Sequence, residues 1–176
     1  VQSIACDSVG AHLRANISVS PTAVAGARSI TVTNAGPGGG MAVLFDLFMI
    51  ENPRPSIVEV RPAGCAKGES TTVQIRGSGF LQGRTAASIH PGIKVDAIDV
   101  HNDTLMSVRI LVDSDAVVGA RGVVVTNPSP GGGNAVLPHV FNVEHLGPTI
   151  TRVSPEHAHR GERVMVLIDG MNFASG

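Results

Sequence analysis

Tryptophan and tyrosine do not occur in this 176-residue chain, and phenylalanine occurs only five times. Sites that stack on sugar rings or nucleobases depend on exposed aromatics, so a stacking-based ligand site is excluded as the organising feature. Lysine occurs twice, the eleven arginines are scattered as singletons, and the formal charge is -1. A nucleic-acid partner wants a basic face or stripe, and none is written here. No uninterrupted apolar run reaches 18 residues, so a membrane-inserted segment is not expected. The richest run, Met41–Ile50, is ten residues long, contains Asp46, and predicts a buried strand. No charged stretch followed by an apolar one opens the chain in the manner of a signal peptide. Two cysteines, Cys6 and Cys65, are too few for a disulfide scaffold, so stability must come from a hydrophobic core. A Gly-x-Ser-x-Gly elbow is missing, as is any ordered Ser/His/Asp or Cys/His set, so the chain is expected not to be an enzyme.

What is present is a repeat. The run Gly119–Gly133, GARGVVVTNPSPGGG, has a near copy at Gly26–Gly40, GARSITVTNAGPGGG, 93 residues earlier. Without a gap, Ile17–Gly83 laid on Ile110–Gly176 gives 30 identities in 67 positions. Phe48 matches Phe141 and Phe80 matches Phe173, which predicts core positions for those rings; Phe45 has no such partner. Cys6 and Cys65 fall at non-equivalent positions, which leaves a disulfide between them without support.

Within one period the hydrophobic pattern is that of short strands. Pro55–Pro62 reads as a proline-bracketed strand. After a turn at Gly68, Thr71–Gly77 alternates with Val73 and Ile75 inward, and the copy places Val164, Val166 and Ile168 with the same parity. Gly77 and Phe80 should end that strand in a turn that tucks the ring inward, as should Gly170 and Phe173. Arg84–His90 is a weaker strand closed by Pro91-Gly92, Ile93–Val100 alternates, and His101–Asp103 is a turn. Leu105–Val112 puts Val108, Ile110 and Val112 on one face, with Asp113–Val118 a linker. Alternation alone cannot orient Val123, Val124 and Val125. The earlier copy reads Ile30, Thr31, Val32, which turns Val123 and Val125 inward and Val124 outward. Pro128–Gly133 is a wide hairpin turn, and Val136–Val143 returns as a strand. Strands with turn signals every 8–14 residues and no helical period predict an all-β sandwich.

Those residues carry a family resemblance. Pro-x-Ile-x-x-Val-x-Pro followed by Val-x-Ile-x-Gly-x-x-Phe, at Pro55–Phe80 and Pro148–Phe173, resembles the opening of the IPT/TIG immunoglobulin-like domain. Gly-x-x-x-Val-x-Val-x-Asn leading to a Phe-containing strand, at Gly119–Val143 and Gly26–Ile50, is similar to its close. The resemblance implies tandem immunoglobulin-like β-sandwiches with a repeat of about 93 residues. It points to modules of bacterial cell-surface or secreted proteins; the family's transcription-factor branch is disfavoured by the lack of a basic DNA-binding domain. On this reading residues 1–52 are the C-terminal part of a first repeat, 53–146 a complete repeat, and 147–176 the N-terminal strands of a third.

The chain starts at the repeat position of Lys94 and stops at that of Gly83. Either it is a window on a longer array, or the tail of one copy completes the head of the next by strand addition. The expected function is a non-catalytic structural module, extracellular or at the cell surface, forming a semi-rigid rod or fibre. Linkers Glu51–Arg54 and Glu144–Gly147 would join the repeats, with Pro55 and Pro148 limiting bending. Its expected partners are neighbouring repeats or copies of itself, with a cell-surface or matrix ligand left open. An adhesin, or an accessory domain of a secreted carbohydrate-active enzyme, is the alternative.

Candidate sites are few. Pro37–Gly40 and Pro130–Gly133 lack the following helix and lysine of a phosphate loop, so turn glycines are expected. His157-Ala-His159 with Glu156 or Glu162 has the spacing of a surface metal pair. The earlier copy has Gly64 and Ala66 there, and an exposed loop is the simpler reading. Asp96, Asp99, Asn102 and Asp103 offer oxygen ligands near a turn but match no calcium loop. Asn16-Ile17-Ser18 and Asn102-Asp103-Thr104 are formal glycosylation triplets. No catalytic residue, cofactor or metal is assigned.

Overall fold

The computed structural model describes residues 1–173, and among them there is no helix, so none long and apolar enough to cross a membrane. The chain divides into two compact units. One comprises Val1–Arg54 together with Asn127–Gly133; the other comprises Pro55–Thr126 and the chain from Asn134 onward.

In the first unit, β1 (Ser3–Cys6) pairs antiparallel with β2 (Leu13–Asn16), and β3 (Gly26–Thr33) with β4 (Met41–Ile50). The β1–β2 turn is tied by the Asp7 carboxylate, which accepts from the Ala11 amide at 2.8 Å. Each pair is a two-stranded sheet of its own. Met41–Ile50 is a strand as predicted but not a buried one: Phe45 is 73% and Leu47 68% exposed. A two-stranded ribbon has no second layer to cover it, so its apolar side chains stay in solvent.

The second unit holds β5 (Ser56–Arg61), β6 (Gly64–Ala66), β7 (Ser70–Ser78), β8 (Ala86–His90), β9 (Ile93–Asn102), β10 (Leu105–Val112) and β11 (Gly119–Asn127, its last residue in the first unit). They are followed by β12 (Gly133–Glu144, its first residue in the first unit), β13 (Thr149–Ser154) and β14 (Leu167–Met171). Two four-stranded sheets, β5-β7-β10-β9 and β6-β12-β11-β8, form a sandwich-like all-β fold. β5 with β7, β7 with β10, β10 with β9 and β11 with β8 pair antiparallel, and β6 runs parallel to β12.

The alternation expected from sequence is met where the two sheets face each other. Val73 and Ile75 of β7, Val108, Ile110 and Val112 of β10, and Val123 and Val125 of β11 are all fully buried. Phe141 fills the centre with no exposed surface, and Phe80 tucks in from the end of β7. Gly77 is required there: a Cβ would stand 1.9 Å from the Ser56 carbonyl oxygen and 2.8 Å from the Phe80 ring.

Three expectations change. β6 was not predicted; three residues are too short for a period-two signal, and its parallel pairing to β12 is a tertiary contact. His101 and Asn102 belong to β9, so the turn is Asp103–Thr104. Val164, Val166 and Ile168 are 41–47% exposed rather than inward, and β14 begins only at Leu167. β13 and β14 form a separate two-stranded sheet, so the face that should bury these residues is open.

Unusual backbone angles recur 93 residues apart. The non-glycine residues Asp46 and His139 both have positive φ, 54° and 56°. Gly26 and Gly119 have 135° and 129°, and Gly68 and Gly161 have 76° and 84°. The β-bulge between Ile57 and Glu59 returns between Ile150 and Arg152. Gly170 repeats the close approach of Gly77, with a Cβ meeting the Thr149 carbonyl at 1.9 Å and the Phe173 ring at 2.5 Å.

Removing the central ring should be costly. Phe141→Ala is expected to destabilise the second unit by about 3–5 kcal/mol. Val58→Ala, at a bulge position 76% exposed, should change stability by less than about 0.5 kcal/mol. Chemical denaturation of both variants checks the contrast.

Candidate functional site

The Gly119–Gly133 run proves to be two hydrogen-bonded corners. In the first, Arg121 is 8% exposed at the start of β11, and among the described residues it forms no ion pair. Its guanidinium donates instead to backbone carbonyls: Nε to Pro91 at 3.0 Å, Nη1 to Gly119 at 3.2 Å and Ala120 at 3.1 Å, and Nη2 to Val117. A planar fork of five N–H groups suits this task, and it holds the β8–β9 turn and the linker before β11 together. Arg28 repeats the arrangement in the first unit, donating to Ala27 at 2.8 Å and Val24 at 2.5 Å.

The second corner is a clasp within the first unit. Asn52 pairs as an isolated parallel bridge with Gly131. Its amide N–H donates to the Pro130 carbonyl at 2.8 Å, and its carbonyl accepts from the Gly132 amide at 2.9 Å. Its side-chain Nδ2 donates to the Pro128 carbonyl at 2.9 Å, while Asn127 Nδ2 donates to the Pro53 carbonyl at 2.8 Å. Asn52 and Asn127 are 9% and 2% exposed, so these amides are committed to the backbone and not to solvent. The glycines have a defined purpose. A Cβ on Gly131 would lie 2.6 Å from the Asn52 carbonyl oxygen, so only a residue without a side chain lets segment 51–53 approach the hairpin tip. The glycines of the run have positive φ in a turn between two strands, as expected, and they also seat a backbone segment, which was not expected.

The polar candidates are not brought together. Asn102 Oδ1 accepts from the amide and hydroxyl of Thr104 at 2.9 and 2.8 Å, an Asx turn, and Asp99 pairs with His101 at 3.4 Å. The Glu162 carboxylate accepts from the His159 amide at 2.9 Å, which closes the β13–β14 loop. His157, His159, Glu156, Asp96 and Asp103 are exposed. Among the described residues no group of three or more His, Cys, Asp or Glu is placed to share a metal ion. Asn16 sits in β2 with its Nδ2 donating to the Ser3 hydroxyl at 2.8 Å.

One concave feature of the first unit is apolar. A groove of about 550 Å³ in the first unit is lined chiefly by Ile4, Leu13, Ile17, Ile30, Val32 and Phe48. Arg121, Asn52 and Asn127 were missed as positioning residues. The available signal was the identity of Arg28 with Arg121 and of Asn34 with Asn127, polar residues retained inside an apolar strand pattern. No protein-family model matches the chain, and no curated protein matches it either.

Cys65 and Cys6 are both free thiols, the first buried in β6 and the second exposed in β1. Burial pushes the Cys65 thiol above its ordinary value, and the carboxylates of Glu69 and Glu144 add to the rise. At pH 8, alkylation should consume Cys6 at least about a hundredfold faster than Cys65. Because the folded pKa is raised, the contribution of Cys65 to stability is present below the ordinary thiol pKa. It should decline as pH climbs above that value, where the unfolded chain ionises first. Arg121→Met leaves its carbonyl partners unpaired and should cost about 3 kcal/mol, and Asn127→Ala about 1–3 kcal/mol, in denaturant titrations.

Proposed function

We propose that this chain is a non-catalytic structural module, built of tandem immunoglobulin-like sandwiches of the IPT/TIG type, that acts outside the cell or at its surface as a semi-rigid rod. The observation that carries the reading is the clasp of Asn52 and Pro53 onto the Asn127–Gly133 hairpin tip. Four hydrogen bonds, two of them from buried asparagine side chains, fix residues 52 and 53 on that tip, which supports a stiff joint in place of a flexible tether. Recurrence of the Arg28 and Arg121 corners, of the Asp46 and His139 backbone angles and of the Gly77 and Gly170 contacts, each 93 residues apart, supports a tandem unit of that length. The strand order β5-β7-β10-β9 against β6-β12-β11-β8 supports the immunoglobulin-like topology.

Rigidity is measurable as a distance distribution. Spin labels at Phe45→Cys and Val58→Cys, both highly exposed sites, in a Cys6→Ser background at sub-micromolar concentration, should give one narrow peak. The additional changes Asn127→Ala and Gly131→Val should broaden it at least about twofold, because the clasp is lost. A broad distribution in the unclasped and the parent protein alike would refute the rod.

A further inference from the structure

A serine, a histidine and an aspartate that their spacing in the sequence did not single out meet on the outer face of the β5-β7-β10-β9 sheet. Ser107 of β10 stands opposite Asp99 of β9. The Ser107 hydroxyl lies 2.8 Å from His101 Nε2, and His101 Nδ1 lies 3.4 Å from an Asp99 carboxylate oxygen. With the Nδ1 proton turned toward that carboxylate, Nε2 accepts and Ser107 donates. These are the roles of nucleophile, base and orienting carboxylate. The side chains of His101 and Asp99 are 42% and 72% exposed and Ser107 is half-buried, so a reagent can reach all three.

His101 owes its position to a β-bulge. The β9–β10 register passes from Leu105 opposite Asn102 to Met106 opposite Val100, which makes His101 the extra residue. A bulge bends its strand and re-aims the inserted side chain, and here it brings the imidazole back to Ser107. The repeat has no need of the cluster. Ninety-three residues earlier the three positions hold Cys6, Ser8 and Arg14, and β1 pairs with β2 in unbroken register.

The surroundings set the kind of reaction. β10 is bonded on both sides, to β7 and β9, so its backbone N–H groups are committed to the ladder and do not face an oxyanion at Ser107. The nearby donors are side chains. Gln74 stands opposite Ser107 on β7, and Arg109, two residues further along β10, forms no ion pair among the described residues. Without a backbone oxyanion hole an ordinary ester or amide gains too little stabilisation to react, and the acyl donor has to carry its own activation. A thioester does so, because thiolate leaves far more readily than alkoxide.

We infer that Ser107 is a covalent acyl-acceptor site for a thioester donor, with His101 as general base and Asp99 as its positioning residue. Ser107 Oγ bonds to the acyl carbon while its proton passes to His101 Nε2. The carbon–sulfur bond then breaks, and the imidazolium returns the proton to the departing thiolate. The products are a serine oxygen ester and a free thiol. That ester has a poor leaving group and no oxyanion hole to assist attack by water, so transfer occurs once per chain. A single transfer is compatible with a non-catalytic module, and the site stands apart from the rod reading.

The test uses a Cys6→Ser background, which removes the exposed thiol. Incubated with the acetyl thioester of N-acetylcysteamine, the chain should gain one acetyl group, placed on Ser107 by peptide mass spectrometry. Ser70, exposed on the same sheet face opposite Leu111, is the internal reference. Ser107 should be acetylated about a hundredfold faster than Ser70, the lower end of what a positioned general base contributes. His101→Gln should bring the two serines to within about threefold of each other. Asp99→Asn should slow Ser107 about tenfold and Asp99→Glu should restore most of the rate, with unfolding midpoints unchanged. Acetylation of Ser107 no faster than that of Ser70, or undiminished in His101→Gln, would overturn the inference. So would thiol release that continues past one equivalent and is lost in Ser107→Ala, since the ester would then be turning over. A narrow spin-label distribution with no acetyl transfer removes the acceptor site and leaves the rod standing; a broad one with acetyl transfer does the reverse.

Discussion

A sheet with one apolar face persists in water only if something apolar lies on that face, and every part of this molecule follows from whether the condition is met. Where β5-β7-β10-β9 faces β6-β12-β11-β8, seventeen buried hydrophobic residues make one core around Phe141. Where only two strands pair, as in β1–β2, β3–β4 and β13–β14, the same kinds of side chain at corresponding positions lie in solvent. Val166 is 44% exposed and Val73 not at all, although each sits two residues before an isoleucine and four before a glycine. The difference is the presence of a second layer, not the local sequence.

Burial of polar groups is handled by a single device. Arg121, Asn52 and Asn127 each direct their N–H groups at backbone carbonyls of turns, which would otherwise lose their water without replacement. Among the described residues no buried side-chain polar atom is left without a partner. A guanidinium or amide used this way needs no opposing charge, which is compatible with only 27 charged Asp, Glu, Lys and Arg residues in the chain. Exposed ion pairs such as Lys94 with Asp113, 3.0 Å apart, tie local loops and carry little of the stability.

The inward faces of β7, β10 and β11 were legible in the sequence because period-two alternation is a local property, and the repeat resolved the one ambiguous case, Val123 to Val125. β6 was not legible, since three residues have no readable period and its partner β12 lies nearly eighty positions away. Arg121 was hidden for another reason: its role depends on carbonyls from Pro91 and Val117, which only the folded loops bring to one point. The exposure of Met41–Ile50 could not be read from composition, because the same apolar decapeptide would be buried beneath a covering sheet.

The clasp also imposes an order of events during synthesis. Asn52 finds its partners 76 residues further along, at Pro128, and Pro53 finds its own at Asn127. At ribosomal speeds of about 5–20 residues per second, the leading segment waits about 4–15 s before the hairpin tip that receives it exists. Until then Asn52 and Pro53 lack the backbone and side-chain partners that the folded clasp supplies.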